Sequence, residues 1–395
     1  MTTDWDSVAL GDAGAWVSGG TPSTSNADYW GGDIPWMSSK SMTEFRVRTS
    51  ERRLTQLGAQ NGTRVVPKDV ILMVVRGMSL KTEFRIGITQ RDVALSQDLK
   101  GLIPAPEFDP LFLAYAIQSK TPQVLAMVDE AGHGTGRLQT DRLFALELPK
   151  PRLEEQRAIA ATLNALDDMI ESNRLSMNLM DCLSRSIFQQ WRSTTPTEQT
   201  MTLGAFADVY GGATPKTAEL RYWDGEIAWM TPTDVTALSA PYLFDTARRI
   251  TEEGLASCSA TLHPVGTILM TSRATIGAFA INQVPAATNQ GFIAARPRRS
   301  ADRWFLFEEM RSRVPEFLDN ANGSTFMELS RGRFKELPLA LPAREDIDAL
   351  ASKLAPLHAK AAQLSAESSR IANLREILLP ELVAGRLRVP MEVAV

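Results

Sequence analysis

The stretch GGTPSTSNADYWGGDIPWM at residues 19–37 decides the fold, because nearly the same stretch returns as GATPKTAELRYWDGEIAWM at residues 212–230. With the Leu-Gly pair that precedes each stretch, twelve residues are identical at one constant offset of 193 positions, and both tryptophans are among them. An internal repeat of this kind predicts two similar domains related by a pseudo-two-fold axis. Such a shape suits a partner with two similar halves, and double-stranded DNA is the commonest partner of that kind.

Composition is that of an ordinary soluble protein of two or three domains. The 395 residues carry a net charge of −4, which argues against a simple basic DNA-binding protein, yet arginines cluster in each repeat (Arg46, Arg48, Arg52, Arg53; Arg296, Arg298, Arg299, Arg303). These clusters are either solvated surface or loops that face phosphate. The N-terminus has no signal-peptide pattern and no apolar run is long enough to span a membrane, so we expect a cytoplasmic chain without a membrane partner.

Four segments follow one another: a mixed domain at residues 1–150, a long helix at 151–193, a second mixed domain at 194–342 and a second long helix at 343–395. The first domain is predicted to hold strands at Val70–Arg76, Phe84–Thr89 and Phe144–Leu148 and helices at Asp109–Ser119 and Pro122–Glu130. The second is predicted to hold strands at Gly266–Arg273, Gly277–Asn282 and Gly291–Pro297 and a helix at Arg303–Arg313. A polar linker is expected at Thr194–Thr200.

Both long helices carry heptad spacing. Glu154–Arg192 has neither Gly nor Pro, and Arg344–Leu379 is interrupted by Pro356, where a proline starts or kinks a helix. Apolar residues alternate at spacings of four and three, which is typical of a coiled-coil seam: Ile159, Leu163, Leu166 and Ile170 in the first helix; Leu350, Leu354, Leu357 and Leu364 in the second. Since the stripes are equally long, the simplest solution is an antiparallel pair, the alternative being that each helix packs on its own domain. The predicted fold class is therefore α+β, two similar mixed α/β domains separated by two long antiparallel coiled-coil helices.

At this point the chain resembles a known family. LPKPRLEEQRAIAATLNALDDMIESN at 148–173, LREILLPELVAGRLRV at 374–389 and the twice-used GGTPS…YW.GDIPWM pattern are similar to those of type I restriction-modification specificity subunits. One departure is that LALPAREDIDAL, at the end of the second repeat, lacks the Glu155-Gln156 pair of the first.

The resemblance implies two target-recognition domains that each read half of a split DNA sequence. It also implies two docked methyltransferase (modification) subunits and, in the full complex, restriction subunits that are ATP-driven translocases and nucleases. Docking is expected on the helices around Glu155, Gln156 and Ile170. No cofactor is expected on this chain; S-adenosylmethionine, ATP and Mg²⁺ are expected on the partner subunits.

Enzymatic interpretations find little support in the sequence. VLAMVDEAGHGTG at 124–136 resembles a strand that leads into a Gly-rich nucleotide loop, but its counterpart FLDNANGSTFMEL at 317–329 keeps one glycine, which a phosphate-binding loop would not tolerate. DPLF at 109–112 only distantly resembles a methyltransferase Asp-Pro-Pro-Tyr box. The histidines, His133, His263 and His358, lie in different elements without ligand spacing, and His358 is expected at the helix surface or beside the coil. We expect no catalytic residue and no metal site.

DNA-contacting residues should be polar, lie in loops and differ between the repeats, because scaffold residues match. After the shared Trp-Met, SSKSMTE stands in one repeat and TPTDVTA in the other, and further matched positions lie at strand ends. Hydroxyl, amide and charged side chains can address base edges or phosphates. The candidates are Ser38, Ser39, Lys40, Arg76, Gln97, Thr231, Thr233, Asp234, Arg273, Asn289 and Gln290. For each of them the alternative is a turn or cap residue, and the repeated tryptophans are expected in the core.

Two other functions stay open. The chain is alternatively a pure assembly scaffold, a coiled-coil hub that joins two enzymes without reading sequence. It is also compatible with a related scaffold or specificity subunit of another phage-defence system that modifies DNA. Exchanging residues 200–342 distinguishes the first alternative, and the neighbouring genes distinguish the second.

Overall fold

A computed structural model describes residues 5–131, 135–323 and 327–390. The chain divides into two compact units, which are described separately: unit 1 comprises Met1–Asp168 and Ala372–Val395, and unit 2 comprises Met169–Ile371. Each unit contains one copy of the repeat together with part of each long helix.

Unit 1 contains fourteen strands among the described residues: β1 Asp6–Ala9, β2 Gly14–Ser18, β3 Trp30–Met37, β4 Arg46–Val47, β5 Arg53–Leu54, β6 Arg64–Val66, β7 Ile71–Val74, β8 Arg76–Gly77, β9 Ile86–Thr89, β10 Val93–Leu95, β11 Leu99–Pro104, β12 Asp129–Ala131, β13 Thr135–Arg137 and β14 Glu147–Lys150. Its short helices are α1 Gln56–Gln60, α2 Pro110–Ser119, α3 Thr121–Leu125 and α4 Thr140–Phe144. The long helix α5 spans Leu153–Thr194 and continues into unit 2.

Unit 2 contains the strands β15 Gln199–Thr202, β16 Ala207–Tyr210, β17 Trp223–Met230, β18 Tyr242–Leu243, β19 Arg248–Ile250, β20 Ile268–Thr271, β21 Phe279–Asn282, β22 Ala286–Thr288, β23 Phe292–Pro297 and β24 Pro338–Leu341. Its short helices are α6 Leu203–Phe206, α7 Pro232–Thr236, α8 Glu252–Ala256, α9 Arg303–Ser312, α10 Val314–Asp319 and α11 Arg331–Glu336. The second long helix, α12, spans Arg344–Val383 and returns to unit 1.

The main sheet has the same strand order in both units, which confirms the repeat, whereas unit 1 adds β6 to its second sheet and has a further sheet of order β12-β13-β8. Unit 1 has a five-stranded sheet of order β2-β11-β7-β9-β4, and unit 2 has β16-β23-β20-β21-β18 at the equivalent place. The second sheet is β5-β3-β10-β6 in unit 1 and β19-β17-β22 in unit 2. The register also repeats, since Trp36 pairs with Ala94 in parallel as Trp229 pairs with Ala287. The predicted α+β class is therefore confirmed.

The long helices are integrated into the cores of both units. In unit 1, Ile159 and Leu163 of α5 share one hydrophobic core with Leu379 and Leu382 of α12. In unit 2, Met177 of α5 packs in a cluster with residues of α12, namely Ala361 and Leu364. The helices pair in antiparallel fashion within each unit. In unit 1, Glu155 pairs with Arg388 and Asp167 pairs with Arg375. In unit 2, Met177 packs with Ala361, and Phe188 shares a core with Leu350. The predicted seam occurs, and so does the packing on the domains that was its alternative.

Several predicted elements end elsewhere. The helix expected at Pro122–Glu130 stops at Leu125, and the strand expected at Phe144–Leu148 is displaced to Glu147–Lys150. In each case tertiary pairing overrides the local pattern, because Asp129–Ala131 pairs with β13 and β14 pairs with β1. The predicted linker partly forms strand β15, which pairs with β24.

Proline 356 does not interrupt the second long helix. Helix α12 includes Pro356, whose side chain is exposed, in its unbroken span. A proline on the solvent side is tolerated there because its missing N–H and its ring affect the face that does not pack.

Candidate nucleic-acid interface

Loops from several strands converge at one end of each unit. We call these surfaces face 1 and face 2; face 1 comprises residues 19–22, 38–44, 76–77 and 96–98, and face 2 comprises residues 212–215, 231–237, 272–274 and 289–291. In face 1 the Ser96 N–H donates to the Met37 carbonyl (2.8 Å) and the Val75 N–H donates to the Asp98 carbonyl (2.9 Å).

Face 2 is connected by the equivalent bonds. The Asn289 N–H donates to the Met230 carbonyl (3.0 Å), and the Ser272 N–H donates to the Gly291 carbonyl (2.8 Å). Because these are backbone bonds, they fix the position of the loops without restricting their side chains. The two units therefore present loops of different sequence from one framework.

The repeated Gly-x-Thr-Pro motif packs closely along one side of each face. A Cβ on Gly19 would lie 2.0 Å from the Leu95 carbonyl oxygen, and one on Gly212 would lie 2.1 Å from the Asn289 carbonyl oxygen. Only glycine permits this close approach of two backbone segments. The glycine is therefore repeated for packing, and it holds the Thr-Pro turn against the loop that follows β10 or β22.

The threonine of each motif binds the glutamine of the neighbouring loop. The Thr214 hydroxyl donates to Oε1 of Gln290 (2.6 Å), and Thr21 donates to Oε1 of Gln97 in the same way. Both glutamines are exposed, and among the described residues their amide nitrogens have no hydrogen-bond acceptor. Each unit thus holds an amide donor in a fixed place at its surface, and an amide of this kind can bind an adenine edge or a phosphate.

The repeated tryptophans pack against each other as a pair in each unit. Trp30 and Trp36 are edge-to-face with ring centroids 5.4 Å apart, and Trp223 and Trp229 are edge-to-face at 4.9 Å. Trp36 and Trp229 also donate to backbone carbonyls (3.1 Å each) and are buried, so the expectation that the repeated tryptophans are core residues is supported for this pair.

Arginines of the predicted basic clusters take part in internal contacts. Arg52 covers Trp30, with its guanidinium carbon 3.6 Å from the ring centroid, and Arg46 binds Asp168 at 2.6 Å. In unit 2, Arg299 pairs with Asp302 at 2.7 Å, and Arg296 pairs with Asp208 at 3.5 Å. Arg46 is largely buried, whereas Arg52 is exposed and the side chains of Arg296 and Arg299 are 42% and 41% exposed, so contact with phosphate stays a prediction for these three.

The loops that connect the framework differ in length as well as in sequence. The difference in residue number between equivalent strand residues of the two repeats changes from 193 wherever one repeat has the longer loop. The pairs are Met37 and Met230 (offset 193), Leu54 and Ile250 (196), Ile71 and Ile268 (197), and Ile88 and Ile281 (193 again). Three inserted residues fall in the loop after β3 or β17, one more falls between β5 and β7 or between β19 and β20, and the deletion falls between β7 and β9 or between β20 and β21. The first insertion and the deletion therefore alter loops that form the two faces.

Among the candidates of face 1, Lys40 and Arg76 are the exposed cations. Ser39 is half-buried and lies beside Gly77, whose Cβ would be 3.3 Å from the Cβ of Ser39. The Ser38 N–H is bound by the Ser41 hydroxyl at 2.8 Å, so the loop is ordered by its own serines. Burial raises the pKa of the Asp98 carboxyl, while nearby Arg76 opposes that rise. The structure therefore brings these candidates and Gln97 together on face 1.

Face 2 contains candidates with internal partners. Both oxygens of Asp234 are bound, one by the N–H and hydroxyl of Thr231 (2.7 and 2.6 Å) and the other by the Ala247 N–H (2.9 Å). Asp234 and Thr231 thus form a capping box for α7. For these two candidates, the alternative of a helix-cap residue agrees with the structure. The Asn289 side-chain oxygen accepts from the Gly291 N–H (2.9 Å), and Arg273 pairs with Glu328. Thr233 and Gln290 are exposed.

The helix residues that were expected to dock a partner are largely interior. Gln156 is fully buried and binds the Asp109 N–H (2.8 Å) and the Pro151 carbonyl (2.9 Å), while Glu155 pairs with Arg388 at 2.6 Å. The remaining seam residues are buried or half-buried: Ile159, Leu163, Leu166, Ile170, Leu350, Leu354, Leu357 and Leu364. Their role in the structure is helix packing.

Sequence reasoning missed a buried histidine. His358 lies in the core of unit 2, stacked on Trp304 with centroids 3.9 Å apart and bonded through Nδ1 to the Tyr242 hydroxyl at 2.9 Å. Of the two expected positions, the surface is wrong because the ring is buried, and a position beside the coil agrees with the structure. The heptad pattern could have indicated burial, because His358 directly follows the seam residue Leu357. In the structure its ring fills the space between the helix and the domain.

Catalytic motifs find no support in the geometry of the described residues. Asp109 caps α2, because its carboxylate accepts from the N–H groups of Leu111 and Phe112. Within the described ranges, no group of three His, Cys, Asp or Glu residues is placed to hold a metal ion, and no helix is both long and apolar enough to cross a membrane. His133, in the glycine-rich run, lies outside the described residues.

The duplicated domain, its two equivalent faces and its paired helices define a class of protein with two similar recognition domains in one chain. The chain belongs to the family described as type I restriction modification DNA specificity domain, whose sequence model matches residues 2–177 and again 197–368. The family assignment by resemblance is thereby confirmed, and with it the general function of DNA recognition.

Known relatives agree with this assignment. The chain is 23% identical to the type I restriction enzyme MjaIX specificity subunit of Methanocaldococcus jannaschii, over 98% of this chain and 94% of that protein. It is 29% identical to the Escherichia coli EcoR124I/EcoR124II specificity subunit over 41% of each chain. The fold is similar to the crystal structure of a type I restriction-modification S subunit from M. genitalium, with a TM-score of 0.59, 17% identity and 96% coverage of both chains.

Proposed function

We propose that this chain reads a bipartite double-stranded DNA target, with face 1 on one half-site and face 2 on the other. The observation that carries the proposal is the pair of equivalent faces, in which matched backbone bonds hold loops of different sequence and length. A framework that repeats while its loops diverge is what two different half-sites require. The middle of such a target stays unread.

The side chains with free polar groups are the best candidates for base and phosphate contacts. Gln97 and Gln290 are exposed and are held by threonines, so their amides are oriented before DNA binds. Such preorganisation lowers the entropic cost of recognition. Lys40 and Thr233 are exposed beside them, whereas Thr231, Asp234 and Arg273 first have to leave internal partners.

Methylation mapping of two glutamine variants tests this assignment. With Gln97→Ala the methylated sequence should relax at one base pair of one half-site only, and with Gln290→Ala at one base pair of the other, each at about 1–3 kcal/mol of lost discrimination. Ser23→Ala, whose hydroxyl contacts Ser25 in the first repeat, is a matched surface control. If both glutamine variants relaxed the same half-site, assigning one face to each half would be wrong.

We further propose that the paired helices set the distance between the half-sites. Half-site centres about one helical turn apart, roughly 34 Å, would face the same side of the duplex. Matched insertions of whole turns in α5 and α12 should then change the unread spacer and leave both half-sites intact. An unchanged spacer in such variants, or a continuous target without a gap, would contradict this proposal.

Partner subunits are proposed to dock on the helices. Two adenine-methyltransferase (modification) subunits bind there, and restriction subunits join them in the full complex. Since the expected docking residues are mostly interior, we place the contact on an exposed apolar row of α5 in unit 2, where Leu175, Leu179 and Leu183 are 53%, 71% and 49% exposed. These residues follow one another at spacings of four and so share one helix face.

Leu179→Glu tests the docking surface. The variant should fold normally, because its side chain is already in water, and should lose the modification subunit in a pull-down or in analytical ultracentrifugation. Gln189→Glu, an exposed position further along α5, serves as the charge control. Unimpaired assembly of Leu179→Glu would place docking elsewhere.

Catalysis is proposed to reside in the partners, in the cytoplasm, where the complex meets DNA. S-adenosylmethionine, ATP and Mg²⁺ would then bind the modification and restriction subunits, and this chain would bind none of them. Calorimetry on the lone chain with S-adenosylmethionine should show no binding heat; saturable binding would refute this division of labour.

The pure-scaffold alternative and the alternative of another DNA-modification defence system lead to different results. A scaffold that does not read sequence leaves the methylated site unchanged when residues 200–342 are exchanged. Neighbouring genes for an adenine methyltransferase and a helicase-nuclease would favour a type I system over the second alternative.

A further inference from the structure

A pair of arginines faces the solvent at the edge of face 1. Strand β8 pairs with β13 in antiparallel fashion, and the register sets Arg76 directly opposite Arg137. Both side chains are exposed, and within the described ranges neither forms an ion pair within 4 Å. Like charges directly opposite each other across two strands destabilise the pair. The arrangement is therefore one that an anion would stabilise.

The second repeat has the opposite charge at the equivalent place. Arg273 pairs with Glu328 across an antiparallel bridge, with Nη2 of the arginine 2.9 Å from the carboxylate. Backbone hydrogen bonds show that the two places are equivalent. The Leu138 N–H donates to the Val75 carbonyl in the first repeat, and the Leu329 N–H donates to the Ser272 carbonyl in the second. Glu328 thus stands where the first repeat has Arg137, and it neutralises the arginine opposite.

Among the described residues, neighbouring acids form no ion pair with either arginine in the first repeat. Asp129 lies opposite Arg137 on its other side, but its carboxylate is bound by Arg142 (3.0 Å) and by Gln139 (2.5 Å). Asp98 interacts with Arg76 without forming an ion pair, and burial raises its pKa. Glu130 is paired with Lys81 at 2.9 Å. Two guanidinium groups thus remain available to an incoming anion.

The place of the arginine pair favours DNA as the source of that anion. Gly77, next to Arg76, lies against Ser39 of the loop after β3, and the Val75 N–H binds the Asp98 carbonyl beside Gln97. The arginines therefore border the candidate base-contacting loops. Arginine pairs with phosphate through two parallel N–H donors, and most protein–DNA hydrogen bonds go to the backbone.

We propose that Arg76 and Arg137 together hold a backbone phosphate of the DNA, and that the second repeat lacks this contact because Glu328 already occupies Arg273. The proposal rests on the proposed function of two DNA-reading faces. It goes further because it predicts that the two faces bind DNA unequally. Electrostatic attraction contributes more to the binding of the half-site on face 1 than to the binding of the half-site on face 2.

Reciprocal exchange of the two residues tests the proposal, because each repeat supplies the substitution for the other. Arg137→Glu installs the second repeat's ion pair in the first, and Glu328→Arg installs the first repeat's arginine pair in the second. Binding of the full chain to a duplex is measured over a range of salt concentrations, and the slope of log K against log salt counts the phosphates contacted, about 0.9 per phosphate.

We expect Arg137→Glu to reduce the magnitude of the slope by about 1–2, Glu328→Arg to increase it by about 1–2, and the double variant to restore it. Arg91→Glu changes the net charge equally at an exposed turn after β9, at the opposite end of the sheet from Arg76, and should change the slope by less than either. An unchanged slope for Arg137→Glu, or one equal to that of Arg91→Glu, would overturn the proposal.

The choice of duplex separates this inference from the proposed function. The duplex is first enriched from a random-sequence pool by the unmodified chain in complex with its modification subunits. If no sequence is enriched, DNA reading itself fails. If a bipartite sequence is enriched and the slopes do not respond to the exchange, only the phosphate contact fails. Because phosphate contacts position without specifying, the enriched sequence should be the same for Arg137→Glu.

Discussion

At one pair of equivalent positions, the two units hold the long helices by contacts of opposite polarity. In unit 1, the Tyr115 hydroxyl of α2 donates to Asp167 of α5 at 2.6 Å, and Arg375 of α12 pairs with the same carboxylate at 2.9 Å. Burial raises the pKa of Tyr115, and the Asp167 charge raises it further, so this hydroxyl stays a donor.

In unit 2 the domain supplies the acid and the helix supplies the ring. Glu308 of α9 occupies the place of Tyr115, and His358 of α12 occupies the place of Asp167, with its Nε2 3.5 Å from the Glu308 carboxylate. The backbone framework thus repeats while the polar contacts are exchanged. If the helix segments were exchanged, Glu308 would face the Asp167 carboxylate, and the repulsion of these like charges disfavours the exchanged pairing.

The largest effect is expected from a proline in the seam. Leu166→Pro should lower the free energy of unfolding by about 3 kcal/mol or more, because it removes a helix hydrogen bond and clashes with the preceding turn on the packed face. Recognition of the joint site should be lost with it. Unfolding by denaturant and methylation mapping measure the two effects.

The second repeat supplies the matched control for this variant. Pro356 lies on the exposed side of α12, and Ala165 is exposed at the equivalent place in α5, 191 residues earlier. Ala165→Pro should therefore cost less than Leu166→Pro. Equal losses for the two variants would show that the paired face of the helix does not determine the cost.

A smaller, pH-dependent effect distinguishes the units. His263 is buried in unit 2, where burial first and then the Arg296 charge lower its pKa from 6.5 to about 4, whereas Val66 stands at the equivalent place in unit 1. Between pH 6.5 and pH 4 the unfolded chain binds a proton at this histidine that the folded chain does not bind. The free energy of unfolding is therefore unaffected by this group above pH 6.5 and decreases as the pH falls from 6.5 toward 4.

His263→Val tests that difference by inserting the residue of the first repeat. Between pH 7 and pH 5 the unmodified chain should lose about 2 kcal/mol more unfolding free energy than His263→Val, as measured by denaturant titration at each pH. Other groups titrate alike in both proteins and cancel. Parallel pH profiles for the two would contradict the assignment.

Effects of similar or smaller size are expected at the anchoring hydroxyls. Tyr115→Phe should destabilise the chain by about 2 kcal/mol, because its bond to the Asp167 carboxylate is charge-assisted, and Tyr242→Phe by about 1 kcal/mol, because its partner is the His358 ring. Thermal unfolding of both variants, compared at their transition temperatures, checks the order. The reverse order would show that the polarity of the contact does not set its strength.

Sequence patterns predicted the framework well because it is built from repeated and periodic residues. The Gly-x-Thr-Pro and Trp-x-x-x-Ile-x-Trp-Met motifs located both domains, and heptad spacing located both helices. Boundaries failed where strands pair at long range, as at Asp129–Ala131, since such pairing leaves no local signal.

The candidate site was harder to predict because one residue type serves several purposes. Arginine runs were compatible with solvated surface or with phosphate contact, and the structure adds a third use, because Arg46 and Arg299 pair with carboxylates of their own units. Asp234 was a plausible reader of bases by chemistry and is a helix cap by geometry. Conversely, Arg137 gave no signal in the sequence, since only the strand register brings it opposite Arg76.

The central claim is that each repeat reads its own half of one DNA target. Residues 200–342 are exchanged for the corresponding domain of a specificity subunit with a known target, and the methylated sequence is mapped in cells that also express the modification subunit. The account predicts a hybrid target in which one half-site is new, the other half-site is retained and the spacer is unchanged. An unchanged methylated site, or the replacement of both half-sites, would contradict it.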